Sequence, residues 1–63
     1  MCLSSVYNKT PEAENLLLRN VQFFKIEGEY VVCTDILAQD MRIRGTLISA
    51  DLVNGQVIVD VVQ

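Results

Sequence analysis

The first two residues, Met1 and Cys2, carry donor atoms at a spacing that suits a metal ion. With Met1 in place, the terminal amine nitrogen, the Cys2 amide nitrogen and the Cys2 thiolate can close two fused five-membered chelate rings. With Met1 removed, the amine and the thiolate of Cys2 still close one such ring. Either arrangement suits a soft, d-electron-rich divalent ion with square-planar nitrogen and sulfur ligands, which favours nickel or copper over magnesium or calcium.

The two cysteines differ in the surroundings that their neighbours predict. Cys33 lies between Val32 and Thr34 in a run typical of a strand, where a free cysteine behaves as a small buried hydrophobic residue. Cys2 could likewise be a small residue that opens an edge strand. A reactive thiol at a fraying terminus contributes nothing to a core, which leaves metal binding open beside that structural interpretation.

Catalytic chemistry has little support in the sequence. Histidine is absent, which removes the usual base for serine or cysteine nucleophiles. The acidic pairs Glu12/Glu14 and Glu27/Glu29 flank an alanine and a turn glycine, and such pairs are typical of solvated turns. No glycine-rich phosphate loop and no zinc motif occurs. We therefore predict that the protein is not an enzyme.

The size of the chain predicts a second subunit. Residues 1–63 form one domain, in which hydrophobic burial contributes about 90 kcal/mol and ordering the chain costs about the same. A balance near zero indicates help from a metal ion, a disulfide or a partner. Because 51% of the residues are hydrophobic and the mean hydropathy is +0.31, we predict a homodimer.

Charge and composition limit the classes of partner that we expect the protein to bind and the cellular compartment in which we expect it to work. The net charge is −3, and Arg42 with Arg44 is the densest basic spot, which disfavours nucleic acid as a partner. Two cysteines without a secretory leader predict a cytoplasmic protein with reduced thiols. No apolar run approaches the ~20 residues of a membrane helix, so we predict no membrane partner.

The hydrophobic pattern predicts an all-β fold. Turn signals separate short β-rich runs, and these turns fall at 9–14, at Glu27-Gly28-Glu29, at Ala38-Gln39-Asp40 and at Asn54-Gly55. The predicted strands are residues 2–8, 15–19, 21–26, 30–37, 41–49 and 56–62. Five or six short strands in such a chain predict a small SH3-like or Sm-like barrel.

Three stretches of the sequence are compatible with more than one local structure. Thr10, Pro11 and two early glutamates would also start a helix over 10–19, although we predict a turn and a short strand there. Apolar residues of both parities in 21–26 indicate a sheet buried on both sides or a bulge. Gly45 inside 41–49 indicates a bulge or a barrel corner where a side chain would obstruct a neighbouring backbone.

The chain as a whole resembles the CooT family, small accessory proteins of carbon monoxide dehydrogenase maturation. The resemblance is carried by Met1-Cys2, the run NVQFFKIEGEYVVCTDIL, the Arg44-Gly45 step and the D-L-x-x-G-x-V pattern of Asp51, Leu52, Gly55 and Val57. It implies a small β-barrel homodimer that binds nickel through the N-terminal cysteine, here Cys2, and handles the metal for a nickel enzyme.

Two functional hypotheses follow. The first is a cytoplasmic nickel-binding homodimer, a metallochaperone or storage accessory, with Cys2 and Met1 as ligands at the subunit interface. The second is a metal-free module that binds a protein or RNA partner through edge strands and the face carrying Arg42 and Arg44. A terminal extension before Met1 would damage the chelate and leave a side-face binding site intact.

Overall fold

The computed structural model describes residues 3–62, which form five β-strands hydrogen-bonded in a closed ring. The strands are β1 (Ser4–Asn8), β2 (Leu16–Glu27), β3 (Tyr30–Asp35), β4 (Asp40–Asp51) and β5 (Gln56–Val61). A single turn of 3-10 helix, Ala13–Asn15, precedes β2. Nothing in this part of the chain is a helix long and apolar enough to cross a membrane. The predicted all-β class is confirmed.

The ring closes through one parallel pair, β1 with β5, in which Val6 lies opposite Val57. The other four neighbouring pairs are antiparallel. Each described strand therefore has two hydrogen-bonded neighbours, and none of them offers a free edge to another chain. The SH3-like or Sm-like subtype and the homodimer stay predictions.

The predicted strands 15–19 and 21–26 are wrong as separate elements, because β2 runs through both. Asn20 takes a left-handed φ of +59°, which asparagine tolerates better than most residues, and the register shifts between Val21 and Phe23. The left-handed residue and the predicted bulge bend the strand. Its first half therefore pairs with β1 and its second half with β3.

The alternative helix over 10–19 does not form beyond one turn. Thr10 donates its hydroxyl to Glu12 Oε1 at 2.9 Å and accepts the Asn15 side-chain amide at 2.7 Å. These side-chain bonds hold a compact turn in place of a helix start, and the chain is already extended at Leu16.

The hairpin between β3 and β4 begins earlier than predicted. The strand expected over 30–37 ends at Asp35, because Asp35 Oδ1 accepts hydrogen bonds from the amides of Leu37 and Gln39 and starts a turn there. The strand expected over 41–49 extends from Asp40 to Asp51. The hairpin at Gly28 is confirmed, with Glu27 paired to Tyr30.

The interior of the ring is filled mainly by β-branched side chains, which pack well on pleated strands. The buried cluster consists of Val6, Val21, Val31, Cys33, Ile43, Val57 and Val59. Cys33 is fully buried, as predicted, and this burial raises the pKa of its thiol. Cys33 is therefore a protonated core residue at neutral pH.

Gly45 lies at a corner of the ring, as its position inside the predicted strand 41–49 indicated. A Cβ atom at this position would overlap the carbonyl oxygen of Asp60 and lie 3.0 Å from the Val61 Cα. The amide of Gly45 also donates to the Glu29 carbonyl at 2.9 Å. The absent side chain is what lets β4 pass from β3 to β5 without breaking the ring.

Candidate metal site

Met1 and Cys2, the two predicted metal ligands, lie outside the described residues. The first described residue is Leu3, and β1 begins at Ser4. Ser4 is buried opposite Val21 of β2, and the amide of Ser5 donates a 2.8 Å hydrogen bond to the Gly55 carbonyl oxygen. The backbone that follows Cys2 is therefore held from both sides of β1.

The β4–β5 loop, residues 52–55, lies directly against the start of β1. A Cβ atom at Gly55 would lie 3.0 Å from the Leu3 carbonyl oxygen, closer than a side chain normally allows. Gly55 also has a φ of +68°, which glycine adopts without strain. The predicted Asn54-Gly55 hairpin is confirmed, and its loop is longer than those two residues because Asp51 pairs with Gln56.

Asp51 fixes the conformation of the β4–β5 loop. Its Oδ1 accepts the amides of Val53 at 3.2 Å and Asn54 at 3.1 Å, and its Oδ2 accepts the Asn54 side-chain amide at 2.7 Å. The hydrogen bond from the Asn54 side chain, with those from the two backbone amides, lowers the pKa of Asp51 below its ordinary value. Asp51, the first residue of the D-L-x-x-G-x-V pattern, thus stabilises the loop that contacts β1.

Asp51→Ala is expected to loosen this loop and lower the melting temperature at neutral pH. Because the folded-state pKa of Asp51 is lowered, its carboxylate stabilises the fold above the ordinary pKa of 3.8, and the contribution is lost as the pH falls through the lowered value. Melting curves followed by circular dichroism should therefore converge for variant and parent as the pH is lowered past 3.8 and then through the lowered pKa of Asp51. A melting difference that stays constant throughout the acidic range would contradict this role of Asp51.

Exposed apolar side chains occur at Leu3 and in the β4–β5 loop, whose Gly55 lies against the Leu3 carbonyl. Leu3 is partly exposed, Leu52 is 65% exposed and Val53 is 90% exposed. We call these three residues the N-terminal apolar surface. A loop tip normally carries polar residues, so the two apolar residues in the Asp51-to-Gly55 segment are a sequence signal for this surface. Clustered apolar exposure of this kind is typical of an interaction site.

The described residues contain no cluster of potential metal ligands. Between Leu3 and Val62, no three Cys, Asp or Glu side chains lie close enough together to hold an ion. Cys33 points into the core, between Phe24 and Met41 in the sheet register, and is closed to solvent. A metal site built on Met1 and Cys2 stays a prediction.

Ion pairs largely neutralise the positive charge of the face that carries Arg42 and Arg44, through which the metal-free hypothesis has the protein bind its partner. Arg42 lies 3.2 Å from Glu27 Oε1 and stacks 4.7 Å from the Tyr30 ring centroid, and Arg44 lies 3.1 Å from Glu29 Oε1. Lys25, 2.9 Å from Glu27, is the main cause of the lowered Glu27 pKa, with Arg42 contributing. Paired arginines and the lack of a free edge among the described strands both weigh against the RNA-binding hypothesis.

A protein-family model described as CO dehydrogenase accessory protein CooT matches residues 1–60. The chain belongs to the CooT family. The match confirms the resemblance drawn from the terminal Met1-Cys2 and the closing pattern from Asp51 to Val57. CooT proteins are CO dehydrogenase accessory proteins, which agrees with the predicted non-enzymatic role and implies an enzyme partner.

A solved structure supports the fold. The crystal structure of a CooT candidate from Carboxydothermus hydrogenoformans matches this chain with a TM-score of 0.81. The match covers 98% of this chain and 100% of that chain at 19% sequence identity, a level at which the likeness shows a common fold. Among curated proteins, no sequence matches this chain.

Proposed function

We propose that this CooT-family chain binds nickel as cargo through Cys2 and the terminal amine and hands it to a carbon monoxide dehydrogenase. The observation that carries this proposal is the family match from residue 1, which brings Met1 and Cys2 into the family pattern. Its working place is the cytoplasm, where the thiol stays reduced.

The chemistry of the donor set supports nickel over harder ions. Thiolate sulfur is a soft ligand, and amine and deprotonated amide nitrogens suit a square-planar nickel ion. A chain without histidine has no imidazole to compete with them. Each of these donors must lose a proton before it binds, so nickel affinity should rise with pH. The β4–β5 loop supports this site by holding the backbone at Leu3 against Gly55.

A homodimer would complete the set of ligands around the nickel ion. Two Cys2 thiolates and two nitrogen donors, one set from each subunit, would supply four ligands to one ion on the two-fold axis. The N-terminal apolar surface supports contact with a second copy at this end, because Leu52 and Val53 would leave water on association. The shared ion would also stabilise a small domain by binding only its folded state.

A nickel titration of the untagged protein tests the proposal. We expect an absorption band in the sulfur-to-nickel charge-transfer region that saturates at one nickel for every two chains. The same protein with a short peptide added before Met1 should lose the band, because the terminal amine is then an amide and its chelate ring is disrupted. Absence of the band from the untagged protein would overturn the proposal.

A further inference from the structure

The turn between β3 and β4 presents a second apolar surface on the ring. Ile36 is 55% exposed and Leu37 is 74% exposed. Phe23, 52% exposed, lies on the neighbouring strand β2 opposite Thr34, one residue before the end of β3. We call Phe23, Ile36 and Leu37, with the flanking Asp35 and Asp40, the turn surface.

The turn that carries these side chains is held by hydrogen bonds along its whole length. Every backbone amide from Asp35 to Gln39 donates a hydrogen bond: those of Leu37 and Gln39 to the Asp35 carboxylate, and the others to the carbonyls of Gln39, Asn20 and Asp35. Ala38 is held at a left-handed φ of +63°, which an alanine rarely adopts. A fixed turn loses little conformational entropy on binding, so its apolar side chains are preorganised for a partner.

The turn surface is acidic as well as apolar. Asp35 and Asp40 bracket the turn, and the segment between them contains no basic residue. Asp40 accepts the Thr34 hydroxyl at 2.7 Å, and in the register Thr34 lies between Asp40 on β4 and Phe23 on β2. In the part of the chain from Leu3 to Val62, neither carboxylate is in an ion pair, whereas four of the five basic side chains, Lys9, Lys25, Arg42 and Arg44, are.

We propose that the turn surface docks a partner protein that has an apolar groove with Lys or Arg side chains at its margin. Ile36 and Leu37 enter the groove, and Asp35 and Asp40 meet the basic rim, which fixes orientation and accelerates encounter. The choice of partner rests on the proposed function, which makes the partner the carbon monoxide dehydrogenase that receives the metal.

The charges favour this partner over the other candidates. A second copy placed by a two-fold axis would bring the same acidic rim against itself, so like charges would oppose the contact. Nucleic acid and anionic lipid carry the same sign of charge as Asp35 and Asp40 and are disfavoured for the same reason. The turn surface is also separate in sequence from the N-terminal apolar surface, which we assign to the second subunit.

The test measures binding to purified, nickel-free carbon monoxide dehydrogenase by calorimetry. The double variant Ile36→Ser/Leu37→Ser should bind at least about tenfold more weakly than the parent. The matched control Ile48→Ser/Val62→Ser removes two apolar side chains of similar exposure elsewhere and should bind within about twofold of the parent. Asp40→Asn keeps the acceptor for Thr34 and removes the charge, so it should weaken binding at about 50 mM salt and bring little change at about 300 mM.

Equal affinity of the double variant and the parent would overturn the proposal, and so would an absence of binding by the parent itself. Nickel titrations of the same variants separate this proposal from the proposed function. The charge-transfer band should be unchanged in all of them, since none alters Cys2. If the parent protein binds the dehydrogenase but shows no nickel band, the metal-handling role is contradicted and docking through the turn surface is still supported.

Discussion

Cys2→Ala is expected to abolish the sulfur-to-nickel absorption band while the melting temperature without metal stays the same. The variant retains its terminal amine and amide, but it has no thiolate, which is the soft ligand that the band reports. The strands of the ring begin at Ser4, after Cys2 in the sequence, so we expect the fold to survive loss of the thiol. Absorption during nickel titration and thermal melting by circular dichroism measure the two effects.

Cys33→Ala is the matched control for this experiment, because it removes the other thiol of the chain. Cys33 lies in the core, so the variant should keep the full nickel band and lose about 1 kcal/mol of stability from the vacated space. Loss of the band in Cys33→Ala with retention in Cys2→Ala would reverse the assignment of the ligand. Retention of the band in both variants would show that no cysteine sulfur binds the metal.

Gly45→Ala is expected to have the largest effect on stability in the chain. The new Cβ atom would overlap the Asp60 carbonyl oxygen, and the atoms in the way are backbone, which cannot move without separating β4 from β5. Overpacking of this kind costs about 3 kcal/mol or more. For a domain this small, that cost lowers the melting temperature by roughly 15 °C or more.

Gly28→Ala separates the close approach at Gly45 from the general effect of losing a glycine. Gly28 has a φ of +59° and open space around its missing side chain, so the change costs only the backbone strain, about 1 kcal/mol. Its melting temperature should fall by about 5 °C. A Gly45→Ala protein that melts no lower than Gly28→Ala would contradict the close approach of Gly45 to Asp60.

The sequence predicted the parts of the fold that depend on local chemistry. The β-rich runs around Cys33 and Val57 form strands, Gly28 and Gly55 lie in hairpins, and Gly45 marks a corner, because each follows from side-chain branching or backbone freedom at one position. The family was also predicted, because its pattern begins at Met1-Cys2 and closes at Val57.

Features that depend on distant pairing were not predictable in the same way. The continuity of β2 through Asn20 appears only when one half of the strand has β1 as its neighbour and the other half has β3. The contact between Gly55 and Leu3 likewise requires the parallel pairing of β1 with β5, which no local pattern encodes. The exposure of Ile36 and Leu37 depends on where Asp35 ends its strand, and a hydrophobic run alone predicts burial there.

The parallel pair that closes the ring constrains the order in which the strands pair during folding. Val6 and Val57 are separated by roughly fifty residues, so their pairing has a high loop-closure cost and belongs to the slow, late part of folding. During synthesis β1 leaves the ribosome first, and it has no β5 beside it until residues 56–61 follow. Until then the backbone after Cys2 is held on the β2 side alone, and it gains its second neighbour only when β1 pairs with β5. A nickel site that needs this backbone held on both sides would then form only in molecules that have completed the ring.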